Sequence, residues 1–224
     1  MARKKLKMGA VAKDSGIVFS DPESFKVFLN TINSPITLEL ACGKAAYVRE
    51  LALRYPEKFF IGVDIKADRI GYAVNCVNEM GLQNVAFINT RIEDLGDFFG
   101  ENTVSEIWIT FADPFTKPSK ANKRLTAQKF LDMYSNILDE QGMLHLKTDS
   151  ALLYEFTIAS LEDHSDFTVL VGVQDLYVIP DLHPDLAIQT PFEIKHLEND
   201  LTIKYVLSIR KSESNEGACG CCGC

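Results

Sequence analysis

The chain has 224 residues, 46% hydrophobic and 24% charged, with a formal net charge of -8. That length suits one domain with a sizeable core, and the composition is that of an ordinary globular protein. The acidic balance excludes indiscriminate nucleic-acid binding but leaves room for a local basic patch, and no apolar run nears the roughly 18 residues of a membrane span.

The opening residues, MARKKLKMGAVAK, are basic with no apolar stretch behind them, unlike a secretory signal. A cytoplasmic location is expected. Helix and strand signals then alternate. ITLEL (36–40) is a short β-rich run, and KAAYVRELALRY (44–55) has helical spacing and stops at Pro56. FFIGVDI (59–65) has the length of a buried strand. ADRIGYAVNCVNEMG (67–81) carries Ile70, Val74 and Val77 on one face and ends in Gly81. NVAFIN (84–89) predicts a strand, followed by a short helix near 93–99 and the strand EIWITF (106–111). A helix is predicted over 126–142, a strand over 143–148, a helix from Ala151, and two long strands over 167–177 and 201–210. Between the last two lies a Pro-containing loop, 178–189.

Five strand–helix units in succession imply a doubly wound α/β fold, a parallel sheet with helices on both faces. Ligands in such folds bind beyond the carboxyl ends of the strands. Residues 21–211 are expected to form the domain, with 1–20 and 212–224 loosely held. The C-terminal cluster Cys219, Cys221, Cys222 and Cys224 has the ligand type for a soft metal. It lacks a second, separated pair, so it is read as a tail and no metal is expected.

The first strand–helix turn is ELACGKAAY (39–47). A pyrophosphate-binding turn would need G-x-G-x-x-G, and only Gly43 is present. Glu39 near the strand end suits a cation better than a diphosphate. Asp64, at the end of the next strand, suits ribose hydroxyls. Together Glu39, Gly43 and Asp64 fit S-adenosyl-L-methionine, a cationic nucleoside without phosphates. Plainer roles stand beside these: a buried acid paired with lysine, a tight turn, and a helix cap.

Past the fourth strand comes TFADPFTKPSKANKRLT (110–126), with Asp113 its one acid, then Lys117, Lys120, Lys123 and Arg124. The chain here resembles a known family, the bacterial tRNA (guanine-N7)-methyltransferases that modify the variable-loop guanine at tRNA position 46. The resemblance rests on LELACGKAAY (38–47), FFIGVDI (59–65), EIWITFADPFTKP (106–118), NKRLTAQKFLDMY (122–134), LHLKTDS (144–150) and TPFE (190–193). It implies a Rossmann-like, mostly parallel sheet of about seven strands, the last antiparallel. It also implies S-adenosyl-L-methionine as cofactor and tRNA as partner, with no membrane, no obligate protein partner, and a monomer or homodimer.

On that resemblance Asp113 is expected to be catalytic and near the cofactor. Lys117, Lys120, Lys123 and Arg124 are expected on tRNA phosphates, and Asp149, Thr190 and Glu193 on the target nucleotide. Arg3, Lys4, Lys5 and Lys7 offer a second RNA contact. Phe115 or Phe192 would stack on the flipped base, or belong to the core. Thr190, Pro191 and Glu193 also spell a capping box, and Asp149 suits an N-cap.

The sequence departs from the family pattern at three places. Ala41 and Ala45 stand where glycines are usual, Ala112 replaces a proline before Asp113, and Arg91 stands where an aspartate usually lies near adenine. Asn89 or the backbone would serve there instead. Two other functions fit the residues alone: a small-molecule methyltransferase with a solvated basic lid, or a binding module that has lost the cofactor.

Overall fold

The computed structural model describes residues 15–212. The basic N-terminal residues and the four-cysteine cluster lie outside that range. The described chain forms eight strands: β1 (Val18–Phe19), β2 (Ile36–Leu40), β3 (Phe59–Val63), β4 (Val85–Ile88), β5 (Val104–Thr110), β6 (Leu138–Thr148), β7 (Phe167–Val173) and β8 (Lys204–Arg210). Six helices accompany them: α1 (Pro22–Leu29), α2 (Ala46–Arg54), α3 (Ala67–Met80), α4 (Gln128–Ile137), α5 (Ala151–Glu162) and α6 (Pro191–Leu197). Short 3₁₀ turns cover Ile92–Asp97, Pro118–Lys123 and Leu176–Val178.

The strands form one sheet in the order β1-β4-β3-β2-β5-β6-β8-β7. β8 runs antiparallel to both its neighbours, and the other pairings are parallel. The Rossmann-like architecture and the antiparallel last strand are as expected. β1 and α1 are additions to the expectation. β1 is only two residues long and exists by pairing Val18 with Phe87 and Phe19 with Ile88. α1 starts at Asp21, whose carboxylate accepts from the Ser24 N–H at 2.8 Å, with Pro22 in the first turn. The helix expected over 126–142 ends at Ile137, because Leu138 joins β6 opposite Val104. The helix expected to end at Gly81 does so, with that glycine in the left-handed region at φ 68°.

The central strands have two unlike faces, as the period-2 alternation of side chains requires. Leu38, Leu40, Ile61, Val63, Ile107, Ile109, Leu144 and Leu146 point into an apolar layer with Phe25, Phe98, Phe130 and Leu131. The other face carries buried polar groups on the same strands, among them Thr37, Glu39, Glu106, Thr110, His145 and Lys147. Here they meet Tyr47, Val48, Trp108 and Tyr205. Each of these polar groups is bonded, as burial demands. Glu106 accepts from Thr37 and Trp108, and His145 lies 3.1 Å away. Burial alone would raise its pKa, but these partners and Lys58 together hold it at about 2.

β2 and β5 are adjacent, although α2, β3, α3 and β4 intervene in the chain. The strand order therefore reverses between them, and a cleft opens beyond their carboxyl ends. Gly62 on β3 lies under the first turn of this cleft. An added Cβ would lie 2.9 Å from Cys42 Sγ and 2.9 Å from the buried Phe87 ring. Among the described residues no helix is long and apolar enough to cross a membrane. Gly62→Ala is expected to destabilise by about 1–3 kcal/mol through overpacking, seen as a lower urea midpoint with unchanged slope. An unshifted midpoint would contradict this account of the turn.

Candidate functional site

The turn after β2 is built from three successive left-handed residues at alternate positions: Ala41 (φ 54°), Gly43 (φ 59°) and Ala45 (φ 53°). The two alanines occupy positions where glycine is normally free of strain; each costs roughly 1 kcal/mol against that conformation. The curled turn is held from below by two carboxylates. Asp64 accepts from the Gly43 N–H at 2.9 Å and from the Lys66 N–H at 2.7 Å. Arg69 approaches it at 3.8 Å. Asn89, at the end of β4, donates to the Asp64 carbonyl.

Glu39 accepts from the Thr110 hydroxyl at 2.6 Å on β5 and from the Val48 N–H at 3.1 Å. It thereby caps α2 from a neighbouring strand, since the residue at the cap position, Ala45, has no side chain able to do so. Glu39 is 2% exposed, and its two oxygens face the protein. Burial raises its pKa to about 7, against the lowering effect of those two bonds. Burial and the nearby Glu39 and Asp64 charges likewise push the Cys42 thiol up, away from nucleophilic use.

On the neighbouring strand, β5 ends at Thr110, and the chain turns through Phe111 (φ 51°) and Phe115 (φ 39°). Asp113 is exposed. Its Oδ1 accepts from the Phe115 N–H at 2.9 Å, which leaves Oδ2 uncommitted among the described residues. Lys117, Lys120 and Lys123 follow, all exposed, on the 3₁₀ turn. Arg124 is set deeper than the three lysines. It is 7% exposed. Its Nε donates to the Pro114 carbonyl and its Nη2 to the Phe115 carbonyl. Its guanidinium lies 4.5 Å over the Phe156 ring. Arg124 clamps the Asp113 loop from inside, a job that suits its planar fork of donors.

Near the carboxyl end of β6, Lys147 Nζ is buried and donates to the Leu186 carbonyl at 3.0 Å, the Ile188 carbonyl at 2.9 Å and Glu193 at 2.9 Å. Burial lowers its pKa, with the Glu193 charge opposing. Tyr177 donates to the same carboxylate at 2.6 Å. The capping box forms as expected, with Thr190 accepting from the Glu193 N–H. Thr190 and Glu193, expected on the target nucleotide, are buried. They fix α6 against the sheet. Asp149 is partly exposed, with Oδ2 3.3 Å from His196 Nδ1. The loop 178–189 is anchored too: the Asp185 carbonyl accepts from Tyr47, and its carboxylate from Tyr55.

The turn fits an adenosyl group. A Cβ at Gly43 would meet only Arg69 Nη1, at 4.0 Å, so the backbone there borders open space. Two of the Asp64 acceptor sites remain beyond its two N–H bonds. Ile65, next to it, is 61% exposed, an apolar shelf that sequence reading passed over. Its only signal was an aliphatic residue directly past a strand-ending acid. Arg91, by contrast, turns to Glu93 at 3.7 Å. Among the described residues no group of three or more His, Cys, Asp or Glu could hold a metal ion.

A family profile described as a putative methyltransferase matches residues 33–206. The chain is 43% identical over 175 residues to a tRNA (guanine-N(7)-)-methyltransferase of Christiangramia forsetii, covering 77% of each chain. It is 34% identical over 214 residues to the protein so named in Cytophaga hutchinsonii, covering 92% of this chain and 97% of that one. Among solved structures, a 16S rRNA (adenine(1408)-N(1))-methyltransferase variant from Catenulisporales acidiphilia, with its cosubstrate SAM, superposes at TM-score 0.56. It is 12% identical, and the match covers 89% of this chain and 95% of that one. A SAM-dependent methyltransferase from Aquifex aeolicus gives 0.55 at 17% identity, covering 92% and 98%. These two likenesses establish the fold.

The Glu39 carboxyl has a consequence for stability. Its folded pKa, about 7, lies above the ordinary value of 4.5. Its contribution is therefore full below pH 4.5 and is lost as pH rises through about 7. Glu39→Gln keeps an acceptor and cannot ionise. The difference in unfolding free energy between wild type and Glu39→Gln should shift in favour of the variant by about 3 kcal/mol between pH 5 and pH 8. Urea titrations at both pH values measure it, and parallel profiles would contradict the burial of an ionisable Glu39.

Proposed function

Because the chain belongs to the tRNA (guanine-N(7)-)-methyltransferase family, we propose that it methylates N7 of the variable-loop guanine at tRNA position 46. The donor is S-adenosylmethionine, and the setting is the cytoplasm. The observation that carries the reading is Asp113. It is an exposed carboxylate past the end of β5, next to the strand that leads into the adenosyl turn, and three exposed lysines follow it.

S-adenosylmethionine supplies a methyl group already activated on a sulfonium. Guanine N7 carries a lone pair and no proton, so no general base is required. The protein's work is orientation and charge stabilisation. The Asp64 carboxylate accepts the ribose hydroxyls, Ile65 packs against the adenine, and the Gly43 backbone lies along the open turn. Glu39 acts at one remove, by holding that turn to β5 and α2. Asp113 accepts from guanine N1–H and the exocyclic amine. That edge of the purine is opposite N7, so holding it leaves N7 facing the methyl group. As N7 takes the methyl, the purine becomes cationic, and the same carboxylate stabilises the new charge. Pro114, Phe115 and Arg124 fix the loop in which it sits. Lys117, Lys120 and Lys123 contact the phosphates around the target.

Asp113→Asn preserves the acceptor for the Phe115 N–H and removes the charge. It should lower kcat for 7-methylguanosine formation by at least about 100-fold, with the calorimetric Kd for S-adenosylmethionine within about threefold, a difference under 1 kcal/mol. Near-normal turnover would remove Asp113 from the reaction. Replacing any one of Lys117, Lys120 or Lys123 by Ala should reduce the slope of log K for tRNA against log salt by about 0.7–0.9. Arg124→Ala should leave that slope unchanged while lowering kcat. An equal loss of slope for Arg124→Ala would return it to the phosphate contacts.

A further inference from the structure

An aromatic cluster of Phe111, Phe192 and His196 joins the end of β5 to α6. Phe192, in the first turn of α6, is 51% exposed. Its ring centroid lies 5.6 Å from Phe111, which leaves β5 two residues before Asp113, and 4.4 Å from the His196 ring. Phe111 and His196 are nearly parallel, 6.5 Å apart at 18°. His196 in turn meets Asp149 at 3.3 Å.

An exposed phenylalanine alone carries no meaning, since single apolar residues on surfaces are ordinary. This one is held in place by unusual means. Its neighbour Glu193 is fully buried on Lys147 and Tyr177, so α6 cannot roll without breaking an internal ion pair. Phe111 takes the left-handed backbone conformation at φ 51°, which an aromatic residue adopts only against strain. Its N–H is fixed to the Lys147 carbonyl at 2.9 Å. Both supports of the Phe192 ring are thus tied to the same buried lysine.

We propose that Phe192 is the stacking face for the target guanine, buttressed by Phe111 and His196. The inference rests on the reading of the chain as a guanine-N7 methyltransferase, and it names the surface that selects the base. A purine laid on this ring stacks beside His196, which meets Asp149, and Phe111, which lies two residues before Asp113 in the chain. Both carboxylates are acceptors, which suits the N1–H and amine donors of guanine. Adenine would present its N1 lone pair to them and be repelled. Stacking also lowers the cost of holding a base out of its own stack, as enzymes that act on bases must do.

The test compares wild type, Phe192→Ala and Phe192→Tyr on an unmodified tRNA transcript. It reads kcat/KM for 7-methylguanosine, the Kd for S-adenosylmethionine, and the salt slope of tRNA binding. Phe192→Ala should lose about tenfold to a hundredfold in kcat/KM, the worth of one stacked base. Its cofactor Kd and salt slope should not change, because it removes neither a cofactor contact nor a phosphate contact. Phe192→Tyr should recover most of the loss. An active wild type with Phe192→Ala within twofold of it would overturn the shelf alone. So would a Phe192→Ala variant that loses cofactor affinity in parallel, which would make the ring a packing element. A wild type that forms no 7-methylguanosine would overturn the shelf and the proposed function together.

Discussion

Lys147 is buried in the sheet, and the geometry beyond the carboxyl end of β6 depends on where its protons go. An ammonium taken out of water costs several kcal/mol unless its donors are satisfied. Here two backbone carbonyls and one carboxylate accept them. Well-packed apolar side chains in the same volume would stabilise the fold equally or better. They could not tie the loop at Leu186 and Ile188 and the helix at Glu193 to one point on the sheet. The pair is best understood as a positional device, and the Phe192 cluster is what it positions.

The same logic runs across the polar face of the sheet. Glu39 joins β2 to β5 and to the start of α2. Asp64 gathers the N–H groups of Gly43 and Lys66. Arg124 gathers the carbonyls of Pro114 and Phe115. Each charged side chain is buried beneath a loop and bonds its backbone. The loops then present other residues outward: Ile65, Asp113, the three lysines and Phe192. Charge below sets shape, and exposed groups stand above it. An acidic protein can in this way still carry a local basic edge, in the three exposed lysines that follow Asp113.

The sheet was legible in the sequence because its strands alternate: ITLEL and LHLKT place leucines on one face and polar residues on the other. The capping box at Thr190 and the glycine stop at Gly81 were legible because each is local chemistry. What escaped depends on distant partners. β1 is too short to show a period and exists through its pairing with β4. The chain leaves α4 at Ile137 because β5 offers Leu138 a place in the sheet. Arg124 looked like one more cation of a basic loop, since sequence carries charge but not burial. Glu39 and Glu193 were picked out by pattern, but their depth could not be read: both are buried and bonded within the protein.

The most direct measurement is methyl transfer from labelled S-adenosylmethionine to unmodified tRNA, followed by nucleoside analysis and mapping of the label. The account predicts 7-methylguanosine alone, at one guanine of the variable loop. Label in another nucleoside, or no label from a folded protein that binds the cofactor, would contradict it.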